Sequence, residues 1–311
     1  MATPTSAAEP AAGTIATLRA GEDVDSVYAC TRSERQLSRS GAPYLTVELR
    51  DRTGSIRGRA FRDADVLAGR FARGDLVRVL GRVERFRDEL QIDVRAIARA
   101  EGADPARFLP ASYRDLDELD GFFEHLVREV YDPGLRGLLD NLLGDGTLRA
   151  EIRRAPCAIP RPPGSGGAAR TAAHHAYLGG LLEHTVAVAT MALELCAVHP
   201  RLDRDLLLAA ALVHDLGRTR EFRYGAEIER SREGALLGHV ELGLRLLAER
   251  APAALEPERR LGLEHCVLLH HGSDPVAGRR FGSAEALALY RLNALDAGLK
   301  AAFEHGVAAL G

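Results

Sequence analysis

LLLAAALVHDLGRTREF, residues 206–222, decides how the second half of the chain is read. An unbroken apolar run from Leu206 to Val213 meets His214 and Asp215, and Gly217 then breaks the pattern. A buried imidazole or carboxylate without a partner costs several kcal/mol, so an apolar helix ending on both calls for a ligand. His184 lies upstream of the pair, and His239, His270, His271 and Asp296 lie downstream. One histidine on an apolar face is ordinarily a core or surface residue, but so many at helix ends and inward faces point jointly to a metal. Imidazole and carboxylate are the donors of Zn, Mn, Fe or Co, and carboxylate oxygens with open positions suit hydrolytic metals.

Helical periodicity surrounds this stretch. Leu116, Leu119, Phe123, Leu126 and Val130 recur at three and four residues, and Asp132-Pro133-Gly134 is expected to end that helix. A second helix is expected over 135–143. The Pro- and Gly-rich PRPPGSGGAAR, residues 160–170, reads as a linker or as a loop over the site, since it leads into His174 and His175. Further helices are expected over 177–198, from an Asp203 N-cap to His214-Asp215, over 235–250, from Pro257 to His270-His271-Gly272, and over 283–305 with Asp296 inside. The expectation for residues 113–311 is an all-α bundle.

Before residue 100 the period is two. In PYLTVELRD, Leu45, Val47 and Leu49 alternate with Thr46, Glu48 and Arg50, as a half-buried strand requires. A turn at 51–54 leads into SIRGRAF, a short helical piece is expected over 66–71, and LVRVLGRVERF pairs with ELQIDVRAIA about Arg87-Asp88. Five strands with a helix between the third and fourth resemble the oligonucleotide-binding (OB) barrel. The fold class is therefore multidomain, a five-stranded β-barrel followed by a helical bundle. The expected divisions are a disordered leader over 1–12, the barrel over 13–102 and a linker over 103–112.

The whole chain carries a formal charge of −3, which excludes polyanion binding by net charge alone. Residues 13–100 hold 17 arginines against 13 acids, a surplus of +4. Barrels of this kind bind single strands with a positive groove and stacking rings. Arg57, Arg59 and Phe61 share a strand face by period two, and Tyr28, Tyr44 and Phe86 are further candidate platforms. Only one lysine is present, Lys300. Four spaced cysteines without a C-x-x-C pair read as buried thiols in a reducing compartment. No run approaches about 18 consecutive apolar residues, and the N-terminus lacks a signal-peptide pattern. The expected location is cytoplasmic, with no membrane partner.

HHAYLGGLLEHT, LVHDLGRTREF, LLGHVEL, LLHHG and NALDAGL, in this order, resemble the HD superfamily of metal phosphohydrolases. HHAYLGGLLEHT behind an OB barrel is most similar to the YhaM-like 3′→5′ exoribonuclease family. That resemblance implies two divalent ions, Mn or Co foremost, with Fe, Zn, Mg and Ni compatible. It places His184, His214, Asp215 and Asp296 on the first ion and His239 and His270 on the second, with Asp215 bridging. It implies two-metal-activated hydroxide attack on the 3′-terminal phosphodiester of single-stranded RNA, releasing nucleoside 5′-monophosphates, and leaves single-stranded DNA and homo-oligomerisation open.

His271 is either a further ligand or a phosphate donor, and His174 and His175 fall where phosphate or leaving-group contacts are expected. Arg218 replaces a lysine common in HD proteins. It keeps the charge but cannot shuttle a proton, and a surface salt bridge to Glu221 is the plain alternative. Two rival functions stay open: a nucleotide or small phosphate-ester phosphohydrolase, and a non-catalytic single-strand-binding factor.

Overall fold

Alternating burial along five strands closes the first part of the chain into a barrel, as the period of two requires. The computed structural model describes residues 14–38, 41–160, 174–273, 278 and 280–305. The expected leader and nearly all of the 160–170 loop lie outside the described residues. The strands are β1 (Asp23–Leu37), β2 (Pro43–Asp51), β3 (Gly54–Ala60), β4 (Leu76–Phe86) and β5 (Glu89–Arg99). They close in the order β1-β2-β3-β5-β4, parallel only between β3 and β5. This is the expected OB arrangement.

Leu45, Val47 and Leu49 point inward with Val79, Val83 and Ile92. Arg87 and Asp88 both adopt left-handed φ, 50° and 66°, the pattern of a two-residue hairpin turn whose twist suits the strands. The barrel corrects two expectations. Tyr28 is a core residue at 1% exposure and cannot serve as a stacking platform. The short helix, α1 (Ala64–Ala68), starts two residues before the expected 66–71, after Asp63 in a left-handed conformation.

Besides short 3-10 turns at Ile15–Thr17 and Pro105–Arg107, the remaining elements among the described residues are α2 (Leu116–Arg128), α3 (Pro133–Leu143), α4 (Gly146–Arg154), α5 (Gly180–Val198), α6 (Arg204–Val213), α7 (Arg218–Glu221), β6 (Phe222–Tyr224), β7 (Ile228–Arg230), α8 (Arg232–Arg250), α9 (Pro257–Leu269) and α10 (Ala284–His305). Aspartates 115, 132, 145 and 203 and Ser231 each accept a backbone N–H at a helix start. Asp132-Pro133 thus begins α3 rather than ending α2, because Pro133 occupies the first helical position, where its missing N–H is harmless. Helix α4 and the β6–β7 hairpin were not expected, so the second part is not purely helical.

Helix α5 is long and apolar enough to cross a membrane by length and hydropathy. It is instead a core helix, with Leu182, Val188, Ala189 and Ala192 packed beside Leu207, Leu208 and Ala211 of α6. The chain divides into two compact units. One holds the described residues up to Pro110 with Tyr224–Ile228, and the other holds 111–223 and 229 onward. Within the expected linker, Phe108 and Leu109 are buried, and Phe108 packs with Ala29, Leu76 and Ala226 in the first unit.

Candidate metal centre and nucleic-acid face

His214 follows the last residue of α6, and the chain turns at Leu216 and Gly217 into α7, which sets Asp215 and Arg218 side by side. A Cβ on Gly217 would overlap the His239 carbonyl, so glycine is what allows α8 this close. Gly238, at φ 72°, kinks α8 immediately before His239. His184 comes from the first turns of α5, His270 and His271 from the end of α9, and Asn293 and Asp296 from α10.

Three of these imidazoles have Nδ1 beside an oxygen acceptor. His184 donates to Asp296 Oδ2 at 2.6 Å, His214 to the Ala211 carbonyl at 2.9 Å and His270 to the Val267 carbonyl at 2.6 Å. In a neutral ring that leaves a lone pair on each Nε2, and those nitrogens converge. His184 Nε2 is 3.1 Å from His214 Nε2, and His239 Nε2 is 3.4 Å from His270 Nε2 and 2.8 Å from His271 Nε2. Between His184 and His214 two lone pairs face each other and repel unless a cation lies between them; His239 Nε2 meets His270 and His271 at hydrogen-bond distance, where the donor depends on the tautomer. The tautomers fit ligation, since metal-binding histidines commonly donate their other ring nitrogen to a carboxylate or carbonyl.

Asp215 spans the two groups. Its Oδ2 is 3.9 Å from both His184 Nε2 and His214 Nε2, while its Oδ1 is 3.3 Å from His239 Nε2 and 3.5 Å from His270 Nε2. Two clusters with ligand geometry share it: His184, His214 and Asp215, and Asp215, His239, His270 and His271. His271 thus falls in the second cluster.

Burial keeps three of these rings, His214, His239 and His271, uncharged, as ligation demands. It pushes His214 down to about 3, His239 to about 2 and His271 to about 4. Burial would raise the Asp215 carboxyl, but the Arg218 guanidinium and the surrounding histidines hold it well below the carboxylate range. Arg218 is 9% exposed and lies between Asp215 Oδ1 at 3.3 Å and Glu221 Oε2 at 2.7 Å. The surface-salt-bridge reading of Arg218 is therefore incorrect; the pair is buried inside the unit.

Asp296 is not grouped with the converging lone pairs. One oxygen accepts from both His184 Nδ1 and His175 Nε2, the latter at 2.9 Å, and these bonds hold its carboxyl low against the effect of burial. His175 is 2% exposed and also meets the Tyr177 hydroxyl through Nδ1 at 3.1 Å. Both its nitrogens are engaged, which leaves none for the expected phosphate contact. His174 differs: burial pushes it down to about 3, and its buried Nδ1 has no partner. His125 and His199 are exposed, and His265 accepts from the Gly282 N–H.

Sequence reasoning missed a polar network behind the histidines. Glu183 accepts from Lys300 Nζ and the Tyr177 hydroxyl at 2.8 Å and from Ser112 at 2.9 Å. Glu183 was detectable as a charge inside an apolar helix, and Lys300 as the only lysine. Asn293 was missed as well. Its place one turn from Asp296, on the same face, was the available signal.

On the barrel, Tyr44 and Phe61 stack at 5.4 Å with rings 25° apart, and Phe61 is 55% exposed. The Arg59 guanidinium lies 5.1 Å from the centroid of exposed Phe86. Arg57 and Arg59 line a groove with Arg32, Gln36 and Thr46, three residues not anticipated from sequence. Within it, Thr46 Oγ1 and Arg59 Nε are buried without hydrogen-bond partners. Acids also line it, and Glu89 lies 3.9 Å from Arg57.

Residues 181–298 match the family model for the HD domain, and residues 26–98 match that for an OB-fold nucleic acid binding domain. The chain is similar to proteins named 3'-5' exoribonuclease YhaM. From Bacillus subtilis the identity is 27% over 256 residues, covering 81% of this chain and 77% of that protein. From Shouchella clausii it is 28% over 262 residues, covering 82% and 76%. Among solved structures, the second OB-fold domain of replication protein A from Methanococcus maripaludis is 22% identical with a TM-score of 0.24, covering 30% of this chain and 97% of that one.

Proposed function

We propose that this chain, which joins an OB-fold nucleic acid binding domain to an HD domain and is similar to proteins named 3'-5' exoribonuclease YhaM, is a metal-dependent 3′→5′ exoribonuclease acting on single-stranded RNA. The observation that carries the reading is Asp215, whose two oxygens face two separate groups of converging imidazole nitrogens. His184, His214 and Asp215 would hold one divalent ion, and Asp215, His239, His270 and His271 a second. Paired ions supply a nucleophile at neutral pH and stabilise the entering and leaving oxygens of an in-line displacement.

The chain's own residues set up that chemistry. Arg218 keeps Asp215 ionised and fixed in place. Asp296 holds the His184 ring with its Nε2 toward the cluster. His174, whose buried Nδ1 has no hydrogen-bond partner, is a candidate to meet a substrate oxygen. On the barrel, the Tyr44–Phe61 stack and Phe86 offer π-faces to bases, while Arg57 and Arg59 offer charge to the backbone. The proposed location is cytoplasmic.

The test is 5′-labelled single-stranded RNA incubated with protein stripped of metal by a chelator, then resupplied with Mn²⁺ or Co²⁺. A ladder shrinking from the 3′ end only after resupply is the expected result. An intact strand with every divalent ion tried would exclude the exonuclease and turn attention to nucleotides.

A further inference from the structure

Asn293 and Asp296 stand one turn apart on α10 and touch the same imidazole from opposite sides. Asp296 Oδ2 accepts a hydrogen bond from His184 Nδ1 at 2.6 Å, and Asn293 Oδ1 lies 3.0 Å from His184 Nε2. The amide orientation is fixed by its other end. Asn293 Nδ2 is 3.0 Å from the carbonyl oxygen of His270. A carbonyl can only accept, so the NH₂ group must sit there and the amide oxygen must face the histidine. With Nδ1 protonated, a neutral His184 presents a lone pair to that oxygen, and no hydrogen bond joins two lone pairs.

His214 Nε2, 3.1 Å from His184 Nε2, is a third acceptor at the same point, because His214 Nδ1 donates to Ala211. All three side chains are buried. Ligand atoms about 2.0–2.2 Å from one ion stand roughly 3.0–3.5 Å from their neighbours. The observed 3.0 and 3.1 Å agree with that spacing. Asp296 has no such placement, since it sits behind the ring.

We propose that the amide oxygen of Asn293 is a ligand of the divalent ion held by His184, His214 and Asp215, and that Asp296 is a positioning residue that fixes the His184 tautomer. The assignment rests on the metal-centre reading above and deepens it. A carbonyl-type oxygen is a hard donor that suits Mn²⁺ or Mg²⁺ but brings no charge. The site then binds its ion less tightly than a second carboxylate would allow, and leaves more of the ion's charge for substrate. The competing account makes His184 an imidazolium donating from both nitrogens, with Asn293 merely its hydrogen-bond acceptor.

The experiment is calorimetric titration of metal-stripped full-length protein with Mn²⁺, paired with visible absorption of the Co²⁺-loaded protein. It compares wild type, Asn293→Asp, Asn293→Leu and Asp296→Asn, with circular dichroism checking that each is folded. Wild type is expected to take two ions. Asn293→Asp should tighten one site, Asn293→Leu should weaken the same site by about tenfold or more, and both should alter the Co²⁺ spectrum. Asp296→Asn should lower affinity by about 10–100-fold while leaving the Co²⁺ band positions those of the wild-type donor set. Wild-type affinity and spectrum in both Asn293 variants would overturn the assignment while leaving the metal centre standing. No uptake by wild type would overturn both. Either Asn293 variant suffices if the other fails to fold.

Discussion

Gly217 lies against the backbone carbonyl of His239, so close that a Cβ on the glycine would occupy the same space. This contact brings the turn carrying Asp215 against the kinked start of α8, and Asp215 Oδ1 ends 3.3 Å from His239 Nε2. Gly217→Ala should therefore cost about 1–3 kcal/mol of stability through overpacking and weaken divalent-ion binding at the Asp215–His239 cluster. Urea unfolding and Mn²⁺ titration would show both effects. A variant with wild-type values for both would mean that the contact relaxes freely.

Arg218 separates two buried carboxylates, Asp215 and Glu221. Arg218→Met leaves Asp215 without its guanidinium and Glu221 with only that of the exposed Arg230 at 3.5 Å, and is expected to lose about 3–5 kcal/mol. Arg218→Lys, which keeps the charge but not the fork, should lose less. Equal urea midpoints for Met and Lys would contradict a buried electrostatic role.

Acid should destabilise the metal-free protein well above the carboxylate range. His174, His214, His239 and His271 stay neutral in the fold down to about 3, 3, 2 and 4. The same residues in the unfolded chain take up protons near about 6.5. The unfolded state then binds more protons, so stability is full above that value and falls as pH drops from about 6.5 toward 4. Asp215 and Asp296, whose pKa values are depressed, add a further loss below the ordinary carboxylate value. Urea midpoints at pH 7 and pH 5 measure the slope, and an unchanged or higher midpoint at pH 5 would contradict it.

Stacking on the barrel predicts a separate class of variant. Phe61→Ala and Phe86→Ala should each weaken single-stranded RNA binding by about 1–3 kcal/mol. Divalent-ion binding by the histidine clusters should not change. Fluorescence anisotropy with a labelled oligonucleotide reads the first, and wild-type RNA affinity in both variants would remove the proposed face.

The barrel was legible because period-two alternation survives in β2, β4 and β5, and the helical unit because its apolar runs are long. The His214-Asp215 pair was legible because core packing alone does not set an imidazole and a carboxylate together at the end of an apolar run. Helix α4 was hidden: of its nine residues only Leu148 and Ile152 are buried, too few to establish a period. Strands β6 and β7, three residues each, are shorter than any alternation test. Tyr28 looked like a platform because composition does not say which face of β1 turns inward. Asn293 escaped notice because an amide does not titrate, and its position becomes informative only once both sides of the His184 ring can be seen.

The most direct test of the account compares wild type with Asp215→Ala on 5′-labelled single-stranded RNA in Mn²⁺, with the bound metal counted in each preparation. The expected result is a ladder shortening from the 3′ end with two ions in wild type, and an intact strand with depleted metal in the variant. An Asp215→Ala protein that retains both ions and shortens RNA at the wild-type rate would contradict the shared carboxylate and the mechanism built on it.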